Sequence, residues 1–79
     1  MTTISDKLRQ KYTDLPPEVK RSLIVRFTVI FNESEVKLNE YVLQQIPCDE
    51  LIFGWLVENI VKAHETTHTN TLKPTLSHD

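Results

Sequence analysis

Apolar residues recur at helical spacing in four blocks of the chain, and none of the four prolines lies inside an apolar block. The first block has one apolar stripe at spacings of four, four and three residues, formed by Ile4, Leu8, Tyr12 and Leu15. Such spacing places side chains on a single face of an α-helix. We predict a first helix over residues 3–12, with Thr3 or Ser5 as its N-cap.

The second block opens with a helix start signal, because Pro16 and Pro17 follow the capping acid Asp14 and precede Glu18. We predict a helix over residues 16–31 with six apolar residues inward: Val19, Leu23, Ile24, Phe27, Ile30 and Phe31. Val25 and Val29 lie off this face. The segment also alternates as a strand and is rich in β-branched and aromatic residues, so an extended conformation is the alternative.

The third and fourth blocks also show helical spacing. Asn32 and Glu35 have the spacing of a capping box, which predicts a helix over residues 33–45 with Leu38, Tyr41, Val42 and Ile46 inward. Asp49 and Glu50 suit a helix N-terminus. We predict a last helix over residues 48–65, with an inward set of Leu51, Ile52, Trp55, Leu56, Asn59, Ile60 and Ala63.

The predicted fold is all-α, a compact bundle of three or four short helices with a disordered C-terminal tail. One glycine in 79 residues favours helices over tight hairpins, which use glycine for positive φ. The alternative is α+β, with residues 22–31 and 36–44 paired as one antiparallel hairpin. From Thr66 onward the chain is polar and rich in threonine, so we predict a single domain over 1–65 and a flexible tail over 66–79.

Net charge and its distribution along the chain limit the kinds of molecule that this protein is expected to bind. Nine Lys and Arg against eleven Asp and Glu give a net charge of −2, which argues against nucleic acid as a partner. No apolar stretch approaches the roughly 20 residues that cross a bilayer, so no membrane partner is expected. Residues 1–26 hold six bases and three acids, whereas residues 27–65 hold two bases and seven acids. This uneven distribution of charge favours pairing of the chain with a surface of complementary charge.

Cys48 is the single cysteine, so an internal disulfide is impossible and a reducing cytoplasm fits best. The start of the chain also lacks the charged and apolar pattern of a signal peptide. The acids Asp49 and Glu50 disfavour a reactive thiolate. We therefore expect Cys48 to be a buried small side chain or a partial cap.

His64, Glu65 and His68 form a segment that resembles the HExxH signature of the zincin metalloproteases. Histidines four residues apart on a helix can share one Zn²⁺, and the resemblance implies that Glu65 would be the general base. The longer metzincin form requires glycine and histidine where this chain has Thr71 and Pro74. We predict no bound metal and no cofactor, and retain a small zinc-dependent hydrolase as the alternative function.

The preferred function is a small non-enzymatic interaction or regulatory module that forms a homodimer or docks on a protein partner. A domain this small buries only about 60% of its unfolded surface, and the chain has more apolar residues than one core needs. Large aromatics in desolvated pockets often dominate an interface. The predicted interface anchors are Phe27, Phe31, Trp55 and Leu56, some of which are expected to belong to the core.

Overall fold

Four α-helices form the architecture of the computed structural model, which describes the backbone of residues 1–76 and the side chains of residues 1–67. The helices are α1 (Asp6–Thr13), α2 (Pro17–Phe31), α3 (Glu35–Val42) and α4 (Glu50–Leu76). The predicted all-α bundle is confirmed. The hairpin alternative is wrong, because both segments that it pairs lie mainly in α2 and α3.

The N-terminal strap, residues 2–4, is extended where the sequence predicted the first helical turn. Thr2 and Cys48 exchange two backbone hydrogen bonds of 2.9 and 2.8 Å. The helix begins only at Asp6 because the Ser5 side chain accepts a hydrogen bond from the amide of Leu8, at 3.2 Å. All four residues of the predicted first stripe, from Ile4 to Leu15, are buried as expected.

Helix caps around α2 differ from the sequence prediction. Pro16 occupies the N-cap position of α2 without a side-chain cap, whereas Asp14 follows the last turn of α1. Asn32 adopts the left-handed conformation, with φ of 55°, and ends α2. The hydroxyl of Ser34 caps α3 by accepting from the amide of Lys37. The predicted capping box at Asn32 is therefore wrong.

Helix α3 stops at Val42, three residues earlier than predicted, because the chain turns at Gln45, whose φ is 54°. The Gln45 side-chain amide donates to the Ile4 carbonyl and to the Asp6 carboxylate, both at 2.9 Å. Ile46 consequently lies beyond the helix and is exposed. This turn fastens the strap to the end of α3.

The core lies between all four helices, and among the residues whose side chains are described it buries no charged side chain. Its buried cluster consists of Ile4, Leu8, Tyr12, Leu15, Leu23, Phe27, Leu38, Val42, Leu56 and Ile60. Each helix packs on two neighbours, in the cyclic order α1, α4, α2, α3. Helices α2 and α4 therefore form one side of the bundle.

Helix α4 extends beyond the predicted end at residue 65. The segment 66–79, predicted as a flexible tail, falls largely outside the described side chains, and residues 77–79 lie outside the described backbone. That tail stays a prediction. Over the part of the chain that the structure describes, no helix combines the length and the apolarity needed to cross a bilayer.

Candidate functional site

The four predicted anchors separate into two buried and two partly exposed residues. Phe27 and Leu56 are fully buried and belong to the core. Phe31 and Trp55 are half-buried and pack against that core from its edge. A partner can therefore contact Phe31 and Trp55, whereas it cannot reach Phe27 or Leu56 without opening the bundle.

Aromatic rings join the C-terminal end of α2 to the N-terminal part of α4. The Phe27 ring centroid lies 5.3 Å from that of Phe31 and 6.0 Å from that of Trp55. Phe31 and Trp55 meet edge to face at 5.7 Å. Tilted and edge-to-face rings add about 0.5–1.5 kcal/mol per pair beyond their burial. The cluster fixes these two helix ends side by side.

A polar seam continues along the same pair of helices. The guanidinium of Arg26 lies 5.9 Å from the centroid of the Trp55 ring and donates to the Asn59 side-chain oxygen at 3.1 Å. The Asn59 amide donates in turn to the carbonyl of Trp55 at 2.8 Å. Arg26 of α2 therefore lies level with Asn59 of α4, whereas Phe31 lies level with Trp55. This progression shows that α2 and α4 run antiparallel.

The three most exposed aliphatic residues of these helices lie within about one helical turn of Phe31 or Trp55 along the chain. Val29 is 75% exposed, Ile30 is 56% exposed and Leu51 is 77% exposed. Ile30 adjoins Phe31, and Leu51 lies one turn before Trp55 on α4. We call Val29, Ile30 and Leu51, with the partly exposed Phe31 and Trp55, the exposed apolar end.

Two members of the exposed apolar end contradict the sequence prediction, which placed Ile30 and Leu51 inward. Leu51 precedes the buried Leu56 by five residues, which is a rotation of about 140° on an α-helix. The buried Leu56 and Ile60 define the inward face of α4, so Leu51 lies on the outer face of that helix. Ile30 lies in the last turn of α2, where its helix position alone does not reveal its exposure. Val29 was correctly expected off the inward face.

A shallow groove of about 440 Å³ lies on the N-terminal half of α2. Its lining mixes aliphatic and charged groups: Pro17, Lys20, Arg21, Ile24, Val25 and Glu35. Val25 is 53% exposed and lies one turn from Val29 on the same side of the helix. The groove therefore continues into the apolar surface of α2.

Opposite charges dominate the exposed surfaces of α2 and α4. Helix α2 carries Lys20, Arg21 and Arg26 against one acid, Glu18. The described side chains of α4 include three acids, Glu50, Glu58 and Glu65, against one base, Lys62. Among the described residues, the two ion pairs join Asp6 to Arg9 and Lys37 to Glu40, within α1 and α3. The charges of α2 and α4 thus lie outside these pairs.

Cys48 lies fully buried beneath the strap, as the sequence predicted. Its thiol donates to the Thr2 carbonyl at 3.4 Å. Burial raises the pKa of this thiol, and the carboxylate of Asp49 raises it further, against a smaller lowering by the N-terminal ammonium. A protonated, buried thiol is a poor nucleophile, so the local chemistry favours a packing role for Cys48.

The His64 to His68 segment lies on α4. His64 is half-buried and Glu65 is exposed, whereas the side chain of His68 lies outside the described residues. Within residues whose side chains are described, no group of three His, Cys, Asp or Glu is placed to hold a metal ion. The predicted absence of a bound metal and the alternative of a zinc-dependent hydrolase both stay predictions.

The chemistry that the described side chains bring together is an apolar surface on α2 and α4, bordered by opposite charges. No family model, no curated protein and no solved structure matches this chain.

Proposed function

We propose that this protein is a non-catalytic interaction module that works as a homodimer through the α2 and α4 side of the bundle. The observation that carries the proposal is the exposed apolar end, where Val29, Ile30 and Leu51 are 56–77% exposed within about one helical turn of the half-buried Phe31 or Trp55. Burying one such aliphatic side chain completely is worth about 1.5–3 kcal/mol. Single exposed aliphatics are ordinary, but several together at one end are typical of an interaction site.

A second copy of the chain is the partner that the charges favour. The α2 surface is basic and the described α4 surface is acidic, so each copy presents both halves of a complementary pair. Complementary charge guides orientation and speeds encounter more than it adds affinity. The apolar end supplies the attraction, and the charges select the partner.

We further propose a cytoplasmic location, with neither nucleic acid nor membrane as a partner. The single cysteine, held as a buried free thiol, suits a reducing compartment. The net charge of −2 gives no general attraction to phosphate.

Light scattering behind a sizing column tests self-association. The wild-type chain is expected to elute with twice the monomer mass of 9.2 kDa at high micromolar concentration. Leu51→Glu and Val29→Glu should each raise the dissociation constant at least about tenfold, because each buries a charge in the apolar contact. Val36→Glu is the matched control, since it alters an exposed valine on α3. A wild-type monomer at that concentration refutes the proposal.

A further inference from the structure

A small cleft between α2 and α4 brings two positively charged side chains together. It has a volume of about 190 Å³, and its described lining consists of Val19, Arg26, Asn59, Lys62, Ala63 and Thr66. The last three residues follow Asn59 by three, four and seven positions, so the α4 members share one helical face. The described lining therefore contains two cations and no carboxylate.

Arg26 is held at this cleft by two contacts. Its guanidinium donates to the Asn59 side-chain oxygen at 3.1 Å and lies 5.9 Å from the centroid of the Trp55 ring. Asn59 is itself oriented, because its side-chain amide donates to the Trp55 carbonyl at 2.8 Å. A guanidinium carries five N–H donors in a rigid fork, so the bond to Asn59 leaves others for a ligand. An already oriented side chain loses less conformational entropy on binding.

The charges of Arg26 and Lys62 are not neutralised within the described structure. The two ion pairs among the described residues lie within α1 and α3. Glu58 precedes Lys62 by four residues and Glu65 follows it by three, yet neither forms an ion pair with it. Two positive charges that line one small cleft favour a ligand with more than one negative charge.

We propose that this cleft binds the doubly charged oxyanion of a phosphate group, as free phosphate or as a small phosphate ester. The fork of Arg26 matches two phosphate oxygens, and Lys62 supplies the second positive charge. Thr66 adds a hydroxyl donor to the lining. The cleft is smaller than the pockets of about 300–1,000 Å³ that hold drug-sized ligands, so it suits one compact group.

Local geometry carries this inference, since the whole chain has a net charge of −2 and gives phosphate no general attraction. All lining residues belong to one copy of the chain. The site therefore does not depend on the proposed homodimer, and a monomeric chain is expected to bind phosphate as well as a dimeric one.

A titration of the full chain with sodium phosphate, followed by two-dimensional NMR at constant ionic strength, tests the site. Saturable shifts are expected at the Asn59 side-chain amide and at the backbone amides of Val19 and Ala63. Because both cations are exposed, the dissociation constant should be on the order of 1 mM. Glycerol phosphate is titrated in parallel. Tighter binding of this ester identifies a phosphorylated small molecule as the ligand, whereas equal binding identifies phosphate alone.

Charge-removing variants locate the binding. Arg26→Gln and Lys62→Gln should each raise the dissociation constant at least about tenfold, because each removes a charge-assisted contact. Arg26→Lys keeps the charge but loses the fork, and should raise it about threefold. Arg21→Gln on α2 and Lys7→Gln on α1 remove the same charge from exposed positions outside the cleft and serve as controls.

Urea midpoints measured without phosphate show whether each variant is folded. The side chain of Lys62 is exposed, so Lys62→Gln remains a valid test if Arg26→Gln loses stability. Shifts that do not saturate, equal weakening by the control variants, or unchanged binding in Lys62→Gln would each overturn the proposed site. Weakening confined to the cleft variants, with Arg26→Lys intermediate, supports it.

Discussion

Two buried ionisable side chains, Cys48 and Tyr12, give this small core a defined response to alkaline pH. Burial raises the pKa of the Tyr12 hydroxyl, and the carboxylate of Glu35 raises it further. Burial and Asp49 act in the same way on Cys48. Both groups are neutral at pH 7, so the folded chain resists the charge that each would acquire at higher pH.

We expect the free energy of unfolding to fall as the pH rises above about 8.5, the usual pKa of a cysteine thiol. Above that pH the unfolded thiol loses its proton while folded Cys48 keeps it, so the unfolded state binds fewer protons and stability decreases with pH. The decrease ends once the pH passes the raised pKa of the folded thiol. Tyr12 adds a similar loss above about pH 10.

Urea unfolding of the reduced protein at several pH values measures this effect, with Cys48→Ala as the comparison. The variant loses packing at every pH, but its stability should change less between about pH 8.5 and 9.5. Parallel profiles for the two chains would show that Cys48 does not contribute.

At the scale of single elements, the cap between α2 and α3 shows a limit of local sequence patterns. Asn32 and Ser34 are both good N-cap residues, and a glutamate three residues after Asn32 strengthened the wrong choice. Asparagine also tolerates the left-handed conformation that ends helices, which is its role here. Spacing alone does not distinguish these two uses.

Ser34→Ala should lower the free energy of unfolding by about 1 kcal/mol, because the amide of Lys37 loses its side-chain acceptor. Ser34→Asp should retain most of the stability, since a carboxylate also caps a helix N-terminus. Ser22→Ala removes an exposed serine from within α2 and serves as the control. Urea unfolding of the three variants and the wild-type chain measures these differences. Equal midpoints for Ser34→Ala and the wild-type chain would contradict the assignment of Ser34 as the cap.

The sequence of residues 22–31 is compatible with a helix or with one strand of a hairpin, because its apolar residues match both the helical and the strand period. A strand would place Leu23, Val25, Phe27 and Val29 on one face. The structure separates them, since Leu23 and Phe27 are buried whereas Val25 and Val29 are exposed. Pairs four residues apart belong together, which is the helical period. Packing against α3 and α4 therefore selects the helix, which local residue propensity alone does not do.

Over the whole molecule, the sequence predicted the fold and the helices that carry the candidate surface, but not its exact members. Phe27 and Phe31 share one face of α2, yet only Phe31 reaches the edge, because exposure depends on where neighbouring elements end.

Salt should weaken the dimer modestly. Helices α2 and α4 present opposite charges in exposed positions, where ion pairs are worth about 0–1 kcal/mol and are screened. Raising the ionic strength from about 0.05 to about 0.5 M should increase the dissociation constant roughly twofold to fivefold, as measured by sedimentation equilibrium. Association that strengthens with salt would indicate a purely apolar contact.

The strap from Thr2 to Ile4 also has a consequence for kinetics. Its backbone bonds join residues 46 positions apart in the sequence, whereas hydrogen bonds within a helix join residues four apart. Opening the strap requires the loss of these bonds and the exposure of Ile4, without unfolding any helix. The rate at which an alkylating reagent modifies Cys48 therefore measures this local opening. We expect that rate to exceed the rate of global unfolding of the bundle.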